Sequence, residues 1–427
     1  MGNTNRRRFL TTASLSALAL VGGCVGSTDD EGEHPITESV TAWPSFRGDR
    51  HNTGYAKGVA STGEEPSVEW VFDTDGPVWS SPIVADGSVY VGSADHSVYA
   101  IDAATGEREW AFETEDRVEG TAAYAAGTSV NGSDRGSVYV GSYDEHVYAI
   151  DAETGEQRWA SEVGGLVRGG PIVHEDAVII GVGCHNLACE WHADDADVPE
   201  TGWVYSLDAA SGEPNWRHEV GNEVVSTPAI AGGTIYIGAS DGVLYALEAA
   251  TGDVEWTYET GGMIWSSPAV AFGTVYVGDW DGVIHAVDAA SSEVEWTTDT
   301  GGYYISGSVA VDETAVYVGE TPFNAMDAGE PNYANVYRFD RTDGELEWRF
   351  ETTTTEIGSS PVVTDDRLYI GTHRPTEGGD AGVHALSTDG DEAWFLETGG
   401  RGVGSSPALL EGTLYFGGTD GRVYAVE

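Results

Sequence analysis

The chain has 427 residues, 40% of them hydrophobic and 10% aromatic, so it has enough apolar material for a large folded core. Asp and Glu number 71 against 19 Lys and Arg, a formal net charge of −52. Because phosphate binding needs a basic surface, this balance excludes nucleic acid as a partner. An acidic excess with almost no lysine is typical of a halophilic surface, where concentrated salt screens the repulsion between carboxylates.

The first segment predicts export and lipid anchoring, and residues 1–23 are interpreted as a twin-arginine lipoprotein signal peptide. Arg6-Arg7-Arg8-Phe9-Leu10 resembles a twin-arginine signal, and the apolar stretch after it is too short to span a bilayer. Val21-Gly22-Gly23-Cys24 resembles a lipobox, in which the Cys24 thiol accepts the lipid. The alternative is a plain signal peptide with an incidental cysteine. Residues 24–42 are polar and acidic and predict a flexible tether between membrane and domain.

A tryptophan recurs about every 40 residues where nothing is inserted, a period typical of propeller blades. Most members follow a turn such as Asp102-Ala-Ala-Thr-Gly-Glu and begin a short apolar stretch. A large ring at the same place in each repeat most simply packs against the neighbouring repeat. These structural tryptophans are Trp70, Trp110, Trp159, Trp216, Trp256, Trp296, Trp348 and Trp394.

Each repeat carries four short β signals bounded by Gly, Asp and Ser, which predicts four-stranded antiparallel blades in residues 43–427. The inner-strand signals begin near Val78, Val118, Val167, Val224, Ile264, Tyr304, Ile357 and Val403. The last repeat lacks its Trp strand, whereas Val68–Phe72 precedes the first. We therefore predict an all-β, eight-bladed β-propeller whose N-terminal strand completes the last blade; an open solenoid is the alternative.

The string Val-Tyr-Val-Gly-Ser…Val-Tyr-Ala-Ile-Asp-Ala-x-Thr-Gly-Glu-x-x-Trp resembles the pyrroloquinoline-quinone (PQQ) type propeller repeat. The lead-in from Trp43 to Gly54 is also similar to that of such domains. The resemblance includes quinoprotein alcohol dehydrogenases and the noncatalytic propeller lipoprotein of the outer-membrane barrel-assembly machinery. In outline the chain is more similar to the noncatalytic group, and its charge suggests a haloarchaeal source.

Comparison of the repeats predicts a binding face. The residue after each inner-strand start varies freely, and because strand side chains alternate faces, we expect that residue to line the channel mouth. Long insertions replace the second hairpin turn in three blades, over 182–202, 321–335 and 373–382, on the face where the inner strands begin. Gly358 and Gly404 are expected to leave one side of the mouth open. The predicted face comprises Trp79, Glu119, Arg168, Trp265, Tyr143 and Trp280; loop drift around a water-filled channel is the alternative.

The 182–202 insertion holds the two remaining cysteines, Cys184 and Cys189. Outside the cytoplasm such a pair most often forms a disulfide. A metal site that adds His185 and His192 is an alternative, although the spacing is not that of a zinc finger, and free thiols are another.

Catalysis has weak support in the sequence. A quinoprotein dehydrogenase would need PQQ, calcium and a carboxylate base, and the resemblance would imply an adjacent Cys-Cys pair, which this sequence lacks. It also contains neither a G-x-S-x-G nor an H-E-x-x-H motif. We therefore expect a noncatalytic scaffold without a cofactor, anchored outside the cell membrane and binding envelope or secreted proteins or peptide segments. A PQQ-dependent dehydrogenase and a metal-binding surface protein are the alternatives.

Overall fold

A computed structural model of the chain describes residues 42–127, 136–183, 201–301, 304–322, 333–375 and 381–427. It confirms an all-β propeller of eight four-stranded antiparallel blades. No helix in these ranges is long and apolar enough to cross a membrane. The predicted signal peptide, Cys24 and nearly all of the predicted tether lie outside the described residues, as do Cys184, His185, Cys189 and His192.

The strands of the first four blades follow one another from the channel outwards, and the N-terminal strand β1 (Val68–Asp73) precedes them. The members of blade one are β2 (Ile83–Ala85), β3 (Ser88–Gly92), β4 (Ser97–Asp102) and β5 (Arg108–Glu113). Those of blade two are β6 (Ala123–Ala125), β7 (Ser137–Gly141), β8 (His146–Asp151) and β9 (Gln157–Glu162). Those of blade three are β10 (Ile172–His174), β11 (Ala177–Val182), β12 (Gly202–Asp208) and β13 (Pro214–Val220). Those of blade four are β14 (Ala229–Ala231), β15 (Thr234–Gly238), β16 (Val243–Glu248) and β17 (Val254–Glu259).

The remaining blades repeat this order, with one additional ribbon formed by β26 (Thr354–Glu356) and β29 (His373–Pro375). Blade five contains β18 (Ala269–Ala271), β19 (Thr274–Gly278), β20 (Val283–Asp288) and β21 (Val294–Asp299). Blade six contains β22 (Ala310–Val311), β23 (Ala315–Glu320), β24 (Asn335–Asp340) and β25 (Leu346–Glu351). Blade seven contains β27 (Val362–Val363), β28 (Arg367–Gly371), β30 (Gly382–Ser387) and β31 (Glu392–Glu397), and blade eight β32 (Ala408–Leu410), β33 (Thr413–Gly418) and β34 (Arg422–Val426).

The ring is closed by the N-terminal strand, as the sequence predicts. β1 pairs with β34 in antiparallel register, with Val71 opposite Tyr424 and Trp70 opposite Ala425. Blade eight is thereby completed as β1-β34-β33-β32, and the first and last strands of the propeller are joined by backbone hydrogen bonds. This pairing removes the unpaired edge that the last hairpin would otherwise expose.

The blades are held together by a repeated knob and socket. An aliphatic side chain shortly before each inner strand fits over a glycine at the last or the penultimate position of the second strand of the preceding blade. At Gly238, for example, an added Cβ would lie 2.2 Å from Ile264 Cγ2, so only glycine leaves room. The same contact recurs at every blade junction, including that between blades eight and one. The pairs are Gly92–Val118, Gly141–Val167, Gly181–Val224, Gly238–Ile264, Gly278–Ile305, Gly319–Ile357, Gly371–Val403 and Gly417–Val78.

The recurrent tryptophans lie on the outer strands and contact the next blade. Seven indole N–H groups donate to a carbonyl in the turn between the third and fourth strands of that blade, as Trp110 does to Ala152 at 2.9 Å. Trp394 has no such acceptor among the described residues. Its neighbour is blade eight, whose fourth strand comes from the N-terminus, so the turn that would supply the carbonyl does not exist.

The segment before β1 crosses the channel at the end opposite the start of the inner strands. Its backbone bonds inner strands of six blades, through Trp43 and Val84, Pro44 and Tyr124, Arg50 and Ile230, His51 and Val270, Thr53 and Val311, and Gly54 and Val363. The Asn52 amide nitrogen lies 3.0–3.2 Å from three carbonyl oxygens of blades four and five. Arg47, in a 3₁₀ turn (Phe46–Gly48), donates to Val309 in blade six at 2.9 Å. Burial lowers the pKa of the Arg47 guanidinium to about 9, against the opposing charge of Asp49.

Candidate functional site

The channel mouth contains a cavity of about 990 Å³, a volume typical of a ligand site. All six residues of the predicted face line this cavity, although they come from blades one, two, three and five. The described ends of two insertion loops also reach it, through Thr321 and Pro322 of blade six and through His373 and Arg374 of blade seven. Phe46, from the segment that crosses the channel, lines it as well.

The predicted start of the inner-strand signal in blade six, Tyr304, is wrong by one residue. Ile305, rather than Tyr304, is fully buried and fits the socket, where an added Cβ on Gly278 would lie 2.5 Å from Ile305 Cγ2. Tyr304 lines the cavity instead. The signal for the correct position is a hydroxyl residue three places after the aliphatic residue that fits the socket. Ile305 precedes Ser308 in this way, as Val78 precedes Ser81.

The predicted open side of the mouth is also wrong. A Cβ on Gly404 would meet Trp79 Cζ3 at 2.5 Å, so the Trp79 indole covers this glycine. A Cβ on Gly358 would meet His373 Cε1 at 3.2 Å. The two glycines therefore make room for large side chains from neighbouring elements. A comparison of equivalent positions between repeats does not show which side chains from other positions fill the space.

An aromatic wall forms one side of the cavity. The Trp265 and Trp280 rings lie 4.3 Å apart, and Trp280 and Tyr304 lie 5.2 Å apart, measured between ring centroids. The Trp265 Nε1–H donates to Ser240 Oγ at 3.0 Å, which fixes the orientation of the indole. Arg168 lies 5.3 Å from the Trp265 ring, within the range of a cation–π contact. This wall can accept an apolar or planar group.

Charged groups on the adjacent side are paired with one another. Arg117 lies over the Tyr143 ring at 4.2 Å and 3.4 Å from Glu119, and the Tyr143 hydroxyl donates to Glu119 at 2.7 Å. Arg168 forms an ion pair with Glu223 at 3.5 Å. Burial and the Glu119 carboxylate raise the pKa of the Tyr143 phenol above its usual range, although Arg168 opposes the shift, so this hydroxyl stays protonated and serves as a donor.

Below the mouth, a ring of hydroxyl groups encircles the channel. In six consecutive junctions the hydroxyl oxygen of one blade accepts the backbone N–H of the equivalent residue in the preceding blade, at 2.8–2.9 Å. The hydroxyls belong to Thr227, Ser267, Ser308, Ser360, Ser406 and Ser81, and all line the cavity. Blade three has Gly170 at this position, which interrupts the ring. Each hydroxyl oxygen uses a lone pair to accept the backbone N–H of the preceding blade, and its own proton stays available for donation.

A corner of the cavity formed by Glu356, His373 and Arg374 was not predicted from the sequence. The β26–β29 ribbon places Glu356 opposite His373. His373 Nε2 lies 3.1 Å from one carboxylate oxygen and Arg374 Nη1 lies 2.7 Å from the other. The Trp79 and His373 rings meet edge to face at 5.7 Å. The insertion at 373–382 was a signal for this corner, but only the ribbon pairing shows that Glu356 reaches it.

Several carboxylates that repeat along the sequence have structural partners. The tyrosine hydroxyl on the third strand donates to the turn aspartate in the pairs Tyr99–Asp95, Tyr148–Asp144, Tyr245–Asp241 and Tyr424–Asp420. In blade five His285 stands at the tyrosine position, and it pairs at 3.0 Å with Asp279, two residues before the turn aspartate. Among the described residues, no group of three or more His, Cys, Asp or Glu is arranged to hold a metal ion. The proposed disulfide or metal loop lies outside those residues.

Comparisons with known proteins agree with this architecture. The family model for "Outer membrane protein assembly factor BamB" matches residues 198–302 and 280–427, more than half of the chain. The model for "Glucose/ethanol/alcohol dehydrogenase, beta-propeller domain" matches residues 72–160. A sequence search of curated proteins gave no significant match.

Among solved structures, BamB from Moraxella catarrhalis is similar with a TM-score of 0.64 and 20% identity, over 85% of this chain and 99% of that one. Quinohemoprotein alcohol dehydrogenase from Comamonas testosteroni gives a TM-score of 0.72 and 17% identity, over 91% and 81%. A europium-containing methanol dehydrogenase gives 0.66 and 15%, over 90% and 98%. At these identities the structural likeness shows the fold alone. By the extent of the family match, the chain belongs to the BamB-type family of PQQ-like β-propellers.

Proposed function

We propose that this protein is a lipid-anchored, extracytoplasmic scaffold that binds segments of other envelope or secreted proteins at the channel mouth. The observation that carries the proposal is the convergence of the six residues of the predicted face on one cavity. Membership of the BamB-type family supports an assembly role, because the matching model describes an outer membrane protein assembly factor. The anchor would be Cys24, with residues 25–42 as the tether.

The chemistry of the mouth suits recognition of a polypeptide segment. Trp265 and Trp280 offer rigid apolar area at little cost in side-chain entropy, and aromatic residues and arginine dominate the energetics of protein interfaces. Arg117 and Arg168 are held by carboxylates and rings, so they are already oriented before a partner arrives. Pre-orientation reduces the ordering that binding requires.

The test is affinity capture from the organism's own membranes with the intact lipoprotein and with a Trp79→Ala/Trp265→Ala variant. We expect the variant to fold but to retain less partner. A Val254→Ser/Val294→Ser variant is the control, because both valines are exposed on outer strands away from the cavity. Equal capture by all three proteins would refute the assignment of the face. In parallel, Cys24→Ser should move the protein from the detergent phase to the aqueous phase.

A PQQ-dependent dehydrogenase is the second candidate, and the aromatic cavity and the fold shared with quinohemoprotein alcohol dehydrogenase favour it. The residues present do not fit the calcium ion of that chemistry. The cavity carboxylates Glu119 and Glu356 are already bonded by arginine, tyrosine or histidine. Addition of PQQ and calcium to the purified protein discriminates the two functions: stoichiometric uptake with dye reduction by an alcohol would reverse the proposal.

A further inference from the structure

The corner that contains Glu356 has more positive than negative charge. Both Glu356 oxygens are bonded, by His373 at 3.1 Å and Arg374 at 2.7 Å. The charge of Arg401 also acts on Glu356, and the Arg374 backbone N–H donates to the Arg401 carbonyl at 2.8 Å. Burial would raise the pKa of Glu356, but the His373 hydrogen bond and these charges hold it below its usual value. One carboxylate therefore faces two guanidinium groups and an imidazole, in a chain of net charge −52.

His373 has a ring nitrogen with no hydrogen-bond partner among the described residues. Its Nε2 is used by Glu356, whereas Nδ1 is buried and unpaired, and the residue is 3% exposed. The ring borders the cavity beside Gly358 and Trp79. A buried polar atom without a partner costs free energy, so a ligand group that bonds Nδ1 would recover it. An imidazolium donates from both ring nitrogens, so the Nδ1–H of that form can bond an anionic oxygen while Nε2–H bonds Glu356.

Three serine hydroxyls add donors on the same side of the cavity. Ser360, Ser406 and Ser81 belong to blades seven, eight and one; the corner lies in blade seven, and Trp79 of blade one meets its His373 ring. Their oxygens accept backbone N–H groups from Ser308, Ser360 and Ser406, at 2.8–2.9 Å. Because acceptance leaves each hydroxyl proton available, all three can donate to a ligand oxygen. The donors point to an acceptor-rich, negatively charged group.

The floor of the cavity restricts what can enter. Phe46 lines the cavity from below, and Arg47 reaches across the channel to the Val309 carbonyl of blade six. Asn52 anchors the same segment to blades four and five. An extended strand therefore cannot pass through the channel. A chain end can enter from the mouth, and the positive corner selects the end that carries a negative charge.

We propose that the cavity receives the C-terminal end of a polypeptide, with its α-carboxylate at His373 and Arg374 and its last side chain beside Trp79. This inference rests on the proposed binding of polypeptide segments at the mouth and names the part of the segment that is recognised. Capture of a terminal carboxylate by oriented N–H and O–H donors is a known mode of peptide recognition. Charge-assisted hydrogen bonds would supply its specificity.

The test compares a dye-labelled peptide Gly-Ser-Gly-Ser-Phe that has a free carboxylate with the same peptide as its carboxamide, by fluorescence anisotropy with the full mature chain. We expect the acid to bind about tenfold or more tightly than the amide, the difference associated with a charge-assisted hydrogen bond. His373→Gln and Arg374→Gln should each reduce this preference. Arg217→Gln, on an exposed outer-strand residue, should leave it unchanged. Thermal unfolding of each variant checks that it folds, and Arg374, 49% exposed at its side chain, is the safer substitution.

A third ligand, 3-phenylpropionate, distinguishes a chain end from a small carboxylic acid. It carries the carboxylate and a ring but no peptide backbone, so we expect it to compete only weakly. Competition as strong as that of the peptide acid would overturn the inference in favour of a small acid.

The remaining outcomes separate this inference from the proposed function. Equal binding of acid and amide that is lost in Trp79→Ala/Trp265→Ala would overturn the carboxylate subsite and leave the binding mouth intact. No saturable binding of either peptide at millimolar concentration would also overturn the subsite. The capture experiment would then decide the proposed function independently.

Discussion

Replacement of Glu320 by glutamine tests the charge state of a buried carboxyl group in blade six. Glu320 ends β23, is fully buried, and makes no hydrogen bond of normal geometry through either carboxylate oxygen among the described residues. Burial raises its pKa from 4.5 to about 7, against smaller opposing effects of the Tyr337 hydroxyl and the Arg349 charge. Between pH 4.5 and about pH 7, the folded state therefore holds a proton that the unfolded state has lost.

The sign and size of the effect follow from this difference in pKa. Because the native state binds more protons in this window, stability is full below the unfolded pKa and falls as pH rises towards the folded pKa. A difference of about 2.5 pKa units corresponds to about 3 kcal/mol above pH 7. Glutamine keeps the shape and removes the ionisation. We expect Glu320→Gln to change stability little at about pH 5 and to stabilise the fold by up to about 3 kcal/mol at about pH 8.

Thermal unfolding at the two pH values and constant salt measures this change. A shift of about 3–6 °C at the higher pH is expected, since 1 kcal/mol moves the melting temperature of a large domain by only a few degrees. Glu351→Gln, at an exposed position of β25, is the control for the loss of one negative charge. Equal shifts at both pH values, or a shift matched by the control, would refute a raised pKa at Glu320.

Three further perturbations test the blade contacts. Trp110→Phe should cost about 1 kcal/mol more than Trp394→Phe, because only Trp110 loses a hydrogen bond; equal melting temperatures would contradict this. Gly238→Ala should destabilise by about 1–3 kcal/mol in chemical unfolding, since the new Cβ would lie 2.2 Å from the Ile264 side chain, and Gly238→Ala/Ile264→Ala should recover part of the loss. Asn52→Ala should cost about 2–3 kcal/mol and expose the segment across the channel to limited proteolysis, because three buried carbonyls lose the two N–H groups that they share; unchanged cleavage would count against its anchoring role.

The repeat predicts most of the fold because it is a local signal. Short β-branched and aromatic stretches, Asp-Gly turns and the tryptophan period specify four-stranded units, and the displaced strand at Val68–Phe72 shows where the ring must close. The strand lengths were less predictable. The stretch from Val78 to Pro82 has a β composition, but only Ile83–Ala85 forms ladder bonds. The preceding residues instead build the socket and the hydroxyl ring, whose hydrogen bonds run between blades.

The number of blades, the closure of the ring and the residues that vary at the mouth were predictable from the repeats alone, because each emerges when one repeat is compared with the next. Which of these residues contact one another depends on the folded ring. The β26–β29 ribbon brings Glu356 to His373, and Trp79 of blade one fills the space over Gly404 of blade eight. Residues 43–56 close the floor of the channel. These contacts join segments that are distant along the chain, and no local pattern encodes them, because their geometry exists only after the ring has closed.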